Sequence, residues 1–182
     1  MPCIGVFCGS RAGVRPAYRQ AAATLGRVLA ARGIDLVYGG IDAGLMGVVA
    51  DAALAAGGSV IGVVPVGLDE ADHARAGLTA RHEVATLADR KAVMAELADG
   101  FIALPGGIGT LDEVFEMLAN RQVGAGGAPV GLLDVAGYWS DLTAWFDHAV
   151  AEGFVSGAGR SSLLRSDDPV ELVDRLSRLV GP

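Results

Sequence analysis

The sequence predicts an α/β fold in which a doubly wound parallel sheet is flanked by helices. Short continuous apolar runs bounded by Gly or Pro recur along the chain, as they do in strands that are buried on both faces of a parallel sheet. Segments with helical spacing of apolar residues alternate with these runs, which is the order of β–α units wound into one sheet. No linker or internal repeat interrupts the 182 residues, so we expect one Rossmann-like domain over residues 1–182.

Each predicted strand corresponds to one apolar run. The predicted strands are Ile4–Cys8, Leu36–Tyr38, Ser59–Val64, Phe101–Leu104 and Val130–Val135. Because side chains alternate across a strand, Cys3 and Cys8 should face opposite sides of the sheet, as buried free thiols.

The predicted helices fill the segments between the strands and follow the last one. They cover about Pro16–Ala31, Leu45–Ala56, Arg90–Ala98, Leu111–Gln122, Tyr138–Ala151 and Pro169–Leu179. The last helix has the clearest start, because Asp168 suits the N-cap position, Pro169 the first helical position and Glu171 the third.

Composition and charge argue against several classes of partner and compartment. The net charge is −7 and the 14 Lys and Arg residues form no cluster, which disfavours nucleic acid or an anionic membrane as the main partner. No apolar run reaches the roughly 18 residues that span a bilayer. The N-terminal residues lack the basic flank and cleavage pattern of a secretory signal. Since there is no disulfide framework either, we expect a cytoplasmic protein.

The motifs suggest neither a metal nor a cofactor. His73, His82 and His148 are scattered without metal-ligand spacing, which disfavours zinc. The chain has no Gly-Lys-Ser/Thr P-loop, and Gly107-Ile108-Gly109 is not followed by the later glycine of a dinucleotide fingerprint.

The most informative motif is the stretch Leu104-Pro105-Gly106-Gly107-Ile108-Gly109-Thr110-Leu111-Asp112-Glu113. A strand, a glycine turn and a helix start point backbone N–H groups at an anion. Gly106, Gly107 and Gly109 allow close backbone approach, and Thr110 can add a hydroxyl donor. Glu113, expected in the first turn of the helix, would place a carboxylate beside a bound phosphate. The same residues also match a capping box with Thr110 at the N-cap and Glu113 at N3, in which case Glu113 has no chemical role.

Two other glycine-rich turns also follow predicted strands. Ser10 lies in the turn after the first strand, and Gly39-Gly40 lie in the turn after the second. Ligands bind at the carboxyl edge of such a sheet, so the three turns should converge on one site. A tight turn with close helix packing explains Gly39 and Gly40 equally well.

Two adjacent cations, Arg90 and Lys91, precede the strand of the central motif. They could pair with a phosphate or with Glu113. A solvated helix surface is the commoner explanation for adjacent charges, and the spacing alone leaves both alternatives open.

Three colinear motifs together resemble the Lonely Guy family of cytokinin riboside 5′-monophosphate phosphoribohydrolases. Pro105–Glu113 matches the signature Pro-Gly-Gly-x-Gly-Thr-x-x-Glu throughout, Arg90-Lys91 matches an upstream pair, and the segment from Tyr38 to Gly47 matches a second glycine motif. The similarity runs from Ile4 to about Val155. Members of this family are often mislabelled as possible lysine decarboxylases.

The resemblance implies an enzyme that hydrolyses the N-glycosidic bond of a nucleoside 5′-monophosphate, with N6-modified adenine nucleotides favoured. It implies that Arg90 and Glu113 are the catalytic pair and that the protein is a homodimer. Together with the motifs it predicts a set of residues that bind the substrate and its phosphate: Ser10, Gly39, Gly40, Lys91, Gly106, Gly107, Gly109 and Thr110.

Departures from the family pattern leave the base preference open. Leu87 stands where the family often has a Met near the base, and Ile41 replaces the third glycine of the second motif. One alternative is a nucleosidase acting on AMP or other purine nucleotides. The other is a non-catalytic carrier of a nucleotide or of the molybdenum cofactor, because a related carrier family shares the fold and the glycine motif.

Overall fold

The computed structural model describes residues 2–67, 77–122 and 127–180, and its strands form one parallel sheet. In chain order the strands are β1 (Cys3–Phe7), β2 (Asp35–Tyr38), β3 (Val60–Pro65), β4 (Ala80–Val84), β5 (Gly100–Ala103), β6 (Val130–Leu133) and β7 (Leu163–Ser166). Their order across the sheet is β4-β3-β2-β1-β5-β6-β7, and all neighbours are parallel. The chain therefore winds outward from β1 in one direction and then from β5 in the other. The reversal between β1 and β5 is the switch point at which such sheets bind ligands.

Helices cover both faces of the sheet. They are α1 (Pro16–Ala31), α2 (Gly44–Ala55), α3 (Leu87–Leu97), α4 (Ile108–Gln122), α5 (Ser140–Ala151), α6 (Gly157–Ser161) and α7 (Pro169–Val180), with a 3₁₀ turn at Val135–Gly137. Leu25 of α1, Val49 of α2 and Leu172 of α7 belong to one buried cluster. Met94 of α3 and Val114 of α4 belong to another. The predicted doubly wound α/β architecture is confirmed.

Side chains of β1 alternate between these two cores, as the strand period requires. Ile4, Val6 and Cys8 lie in the first cluster, whereas Cys3 and Phe7 lie in the second. The two cysteines thus face opposite sides of the sheet, as their positions along the strand predicted. Both are buried and free, as expected. Within the described ranges, no helix is both long and apolar enough to cross a bilayer.

Strands β4 and β7 were not predicted. Both lie at an edge of the sheet, where one side of the strand has no neighbour. The side chains of β4 are almost all exposed, and β7 carries the exposed Arg165. Edge strands therefore lack the continuous apolar run from which the inner strands were recognised. The short helix α6 and the 3₁₀ turn were missed as well.

Several helix starts also differ from the prediction. Helix α3 begins three residues before Arg90, after a capping box in which the Thr86 hydroxyl accepts from the Asp89 amide at 3.1 Å. In return, Asp89 accepts from the Thr86 amide at 3.0 Å. The predicted cap of the last helix is present, since the Asp168 carboxylate accepts from the Val170 amide at 2.8 Å.

Candidate active site

The three glycine turns meet at the carboxyl edge of the sheet, as predicted. The Gly9 amide, just after β1, donates to the Pro105 carbonyl at 3.1 Å. The Leu45 amide, at the start of α2, donates to the Gly9 carbonyl at 3.0 Å. The turn after β1 is thus bonded to the turns after β5 and β2, and the three form one rim at the switch point.

Glycine is required where these backbones touch. A methyl group on Gly106 would lie 2.1 Å from the Thr110 hydroxyl and 2.9 Å from the Gly9 amide nitrogen. Gly44 has a φ of 55° and would place a methyl group 2.3 Å from the Ser10 carbonyl carbon. No side chain fits at either position, so the rim owes its tight packing to these two residues.

Helix α4 begins at Ile108, earlier than expected, and this removes the capping-box alternative. The Leu111 amide donates to the Gly107 carbonyl at 3.1 Å, so Thr110 is inside the helix and cannot be its N-cap. Glu113 consequently lies in the second turn, and our expectation of the first turn was wrong. Methyl groups on Gly107 or Gly109 would meet no atom within 4 Å. Residues 107–109 are exposed, and the amides of this first turn have no partner within the helix.

Arg90 of α3 and Glu113 of α4 form an ion pair beside this helix start. An Arg90 Nη2 hydrogen donates to Glu113 Oε1, and the two side chains are only 12% and 9% exposed. The solvated-surface alternative for Arg90 is therefore wrong. Arg90 Nε is buried and, among the described residues, has no hydrogen-bond partner.

The position of Arg90 also explains Gly39. A methyl group on Gly39 would lie 3.2 Å from Arg90 Nη1, closer than an ordinary van der Waals contact. The absence of a side chain at this point of the second glycine turn makes room for the guanidinium. Gly40 packs in another direction, since a methyl group there would lie 2.2 Å from Val64 of β3.

The environment of Glu113 favours its neutral form more than water does. Burial raises the pKa of this carboxyl group above its ordinary value, and the nearby charge of Asp112 adds to the effect. The Arg90 charge and hydrogen bond act in the opposite direction and only partly compensate. A carboxyl group with a raised pKa is typical of acid–base sites.

Lys91 bonds to two other carboxylates of helix α4. Its ammonium group donates to Asp112 at 2.8 Å and also forms an ion pair with Glu116. Both hydrogen bonds raise the pKa of Lys91. A phosphate contact by Lys91, as predicted from the sequence, would require it to leave two carboxylates.

A cavity of about 670 Å³ opens over the rim, a size typical of small-molecule sites. The predicted residues that line it are Ser10, Arg90, Gly106, Gly107, Gly109, Thr110 and Glu113. Gly39, Gly40 and Lys91 are not part of its lining. The structure thus brings together both members of the expected catalytic pair and most of the expected phosphate-binding residues.

Sequence reasoning overlooked the rest of the cavity wall. Ile41, Met46, Leu87 and Ile108 give it an apolar part, and the rings of Tyr18 and Tyr138 also line it. In the sequence, Ile41 and Leu87 stand out only as departures from a family pattern. No local signal distinguished Tyr138, which follows a 3₁₀ turn far along the chain.

Comparison with known proteins identifies the family. A family model described as possible lysine decarboxylase matches residues 46–176. A probable cytokinin riboside 5′-monophosphate phosphoribohydrolase of Oryza sativa subsp. japonica is 47% identical, with 96% of this chain and 77% of the relative covered. The cytokinin riboside 5′-monophosphate phosphoribohydrolase LOG1 of Arabidopsis thaliana is 44% identical, with 97% and 83% covered. The chain belongs to the Lonely Guy family.

Solved structures agree on the fold of this Lonely Guy chain. A molybdenum cofactor binding protein from Rippkaea orientalis has a TM-score of 0.75 at 23% identity, covering 99% of this chain and 98% of that one. The molybdenum cofactor carrier protein of Chlamydomonas reinhardtii has a TM-score of 0.74 at 24% identity, with 96% and 97% covered. At such identities the likeness concerns the fold alone.

Proposed function

We propose that this protein hydrolyses the N-glycosidic bond of cytokinin riboside 5′-monophosphates, releasing the free base and ribose 5-phosphate. The observation that carries the proposal is the buried Arg90–Glu113 pair, which lines a cavity together with the first turn of α4. Relatives that carry this activity in their names are 44–47% identical to the chain.

The proposed substrate lies with its phosphate against the start of α4. The exposed amides of Gly107, Ile108 and Gly109 and the positive end of the helix dipole attract an anion there. The Thr110 side chain lies close to Gly106, where an added methyl group would come within 2.1 Å of the Thr110 hydroxyl oxygen. From this anchor the ribose reaches Glu113, which lies one turn further along the same helix.

In the proposed reaction, the bond between C1′ and the base nitrogen breaks and the base leaves with the bonding electrons. Positive charge builds up on the ribose ring, as in other glycosidic cleavages, and the Glu113 carboxylate stabilises it. Water adds to C1′ and loses a proton to Glu113. The base takes up one proton from solvent as it leaves and Glu113 returns its proton to solvent, so the net reaction consumes one water. The raised pKa of Glu113 improves its strength as a base, and Arg90 holds the carboxylate in place.

The apolar part of the wall supports an N6-modified adenine as the preferred base. Ile41, Met46 and Leu87 line the cavity and offer contact to an apolar substituent. A nucleosidase for plain AMP uses the same catalytic pair but gains nothing from this wall. A carrier of a nucleotide or of the molybdenum cofactor needs the anion-binding start of α4 but does not need the buried Glu113 carboxylate.

We also propose a cytoplasmic homodimer. The exposed aromatic side chains of Phe115 on α4 and Trp145 on α5 are 37% and 50% accessible and pack edge to face. A second copy covering them would remove apolar surface from water. Light scattering after size-exclusion chromatography tests this, and a monomer at micromolar concentration would contradict it.

The activity is tested by product analysis with AMP and with isopentenyladenosine monophosphate. We expect the wild type to release free base, faster from the isopentenyl substrate, and Glu113→Ala and Arg90→Ala to lose about 10²-fold or more in rate. Glu96→Gln is the matched control, because Glu96 is an exposed carboxylate on the same helix as Arg90. Tight nucleotide binding without base release would favour the carrier, and equal rates with both substrates would favour the plain nucleosidase.

A further inference from the structure

Tyr138 connects the loop after β6 to the glycine turn of the central motif. Its hydroxyl donates to the Gly106 carbonyl oxygen, across 32 residues of sequence. The ring also lines the cavity and is 41% exposed. Neither the family signature nor the catalytic pair assigns this residue a role.

The loop that carries Tyr138 is tightly held. Ala136 and Gly137 have φ values of 54° and 74°, so two successive residues adopt a conformation that turns the chain sharply. The Asp134 carboxylate, 6% exposed, accepts from the Trp139 amide at 2.6 Å and from Arg165 Nε at 2.8 Å.

The ring of Tyr138 is clamped from two sides. It makes edge-to-face contacts with Trp139 at 4.8 Å and with Tyr18 at 5.8 Å between ring centroids. Such contacts favour one ring orientation. The hydroxyl is therefore presented to Gly106 from a rigid support.

The hydrogen bond to Gly106 has a consequence for the next amide. The Gly106 carbonyl and the Gly107 N–H belong to one planar trans peptide and point in opposite directions. Fixing the carbonyl therefore also fixes the direction of the N–H. With glycine on both sides, no Cβ hinders rotation of this peptide, and Gly107 is exposed with no atom near its missing side chain.

We propose that Tyr138 is a positioning residue that prevents this peptide from flipping. With the peptide held, the Gly107 N–H stays available to the 5′-phosphate. After a flip, the negative end of the Gly106 carbonyl would take the place of the amide and repel the phosphate. The inference rests on the proposed function for the identity of the anion, and it concerns binding, not bond cleavage.

The test is the variant Tyr138→Phe, which keeps the ring and removes only the hydroxyl. Titration calorimetry with ribose 5-phosphate and with adenosine separates phosphate binding from the rest of the site. We expect the affinity for ribose 5-phosphate to fall about 3- to 10-fold, the change that one net hydrogen bond makes. The affinity for adenosine should change less than twofold.

Glu96→Gln serves as the control, because Glu96 is exposed on α3 and does not line the cavity. The ratio of the two affinities should stay at the wild-type value in this control, and thermal unfolding should show both variants folded. Equal losses for both ligands in Tyr138→Phe, or no loss for either, would overturn the inference. A wild type that binds ribose 5-phosphate but releases no base would refute the proposed function and leave this inference standing.

Discussion

Removal of the Arg90 side chain should leave a buried carboxylate without its counter-ion. In the folded protein the Glu113 side chain is only 9% exposed, so water solvates its charge poorly once the guanidinium is removed. Breaking a buried ion pair from one side typically destabilises a protein by about 3–5 kcal/mol. We expect Arg90→Ala to lose about this much free energy of unfolding at pH 8.

The loss should depend on pH in a defined direction. Arg90 lowers the pKa of Glu113 in the wild type, so its removal raises that pKa further. The folded variant then keeps a proton on Glu113 at pH values where the unfolded chain, with a pKa near 4.5, has released it. Because the folded state binds more protons, the free energy of unfolding falls as pH rises from about 4.5 towards the folded pKa. The cost of Arg90→Ala should therefore be smaller at pH 5 than at pH 8.

Urea unfolding at both pH values measures this difference. In the double variant Arg90→Ala/Glu113→Gln the buried charge is absent, and we expect most of the pH-dependent part of the loss to disappear. Both the single and the double variant should release base at least about 10²-fold more slowly than the wild type. A loss that is equal at both pH values, or a double variant no more stable than Arg90→Ala at pH 8, would refute the reasoning.

Three further predictions concern the rim, the outer ion pairs and the apolar wall. Gly106→Ala forces a methyl group against Thr110, and urea unfolding should show a loss of about 1–3 kcal/mol in the free energy of unfolding. Gly107→Ala has open space around its new methyl group, so its free energy of unfolding should stay within about 0.5 kcal/mol of the wild type. Similar losses in the two variants would contradict the packing seen at Gly106. Lys91→Met breaks ion pairs to two partly exposed α4 carboxylates. It should lower the free energy of unfolding by only about 1 kcal/mol, and by less in 1 M salt. A loss of phosphate affinity with unchanged stability would instead support direct binding of the phosphate by Lys91. Leu87→Ala should lower kcat/KM for the isopentenyl substrate about fivefold more than for AMP, because each lost methylene contact with the substituent is worth about 0.8 kcal/mol. Equal effects on both substrates would mean that the base lies away from Leu87.

Much of the fold could be predicted because its signals are local. The inner strands are continuous apolar runs, and the helix that spans Pro16–Ala31 was predicted with its observed bounds. The order of apolar side chains along the chain shows whether a strand is buried on both faces and which face of a helix is buried. Edge strand β4 carries no such signal, since its exposed residues could equally belong to a loop.

The candidate site also has a part that the sequence predicts and a part that only the assembled structure shows. The sequence by itself determined that three glycine turns follow parallel strands, and parallel strands must end at one edge. It left Glu113 undecided between a helix cap and an acid, and Arg90 undecided between surface and site. The tertiary structure placed these two side chains in contact, although 23 residues separate them.

It also assigned Lys91 to α4 and brought Tyr138 to Gly106. These partners follow from how α3, α4 and the loop after β6 pack on the sheet. That packing depends on all the residues of the two hydrophobic clusters. A sequence motif, in contrast, indicates only the conformation and burial of its own residues. Turns, caps and periodicity can therefore be read along the chain, but contacts between distant side chains are decided only when the sheet and its helices are assembled.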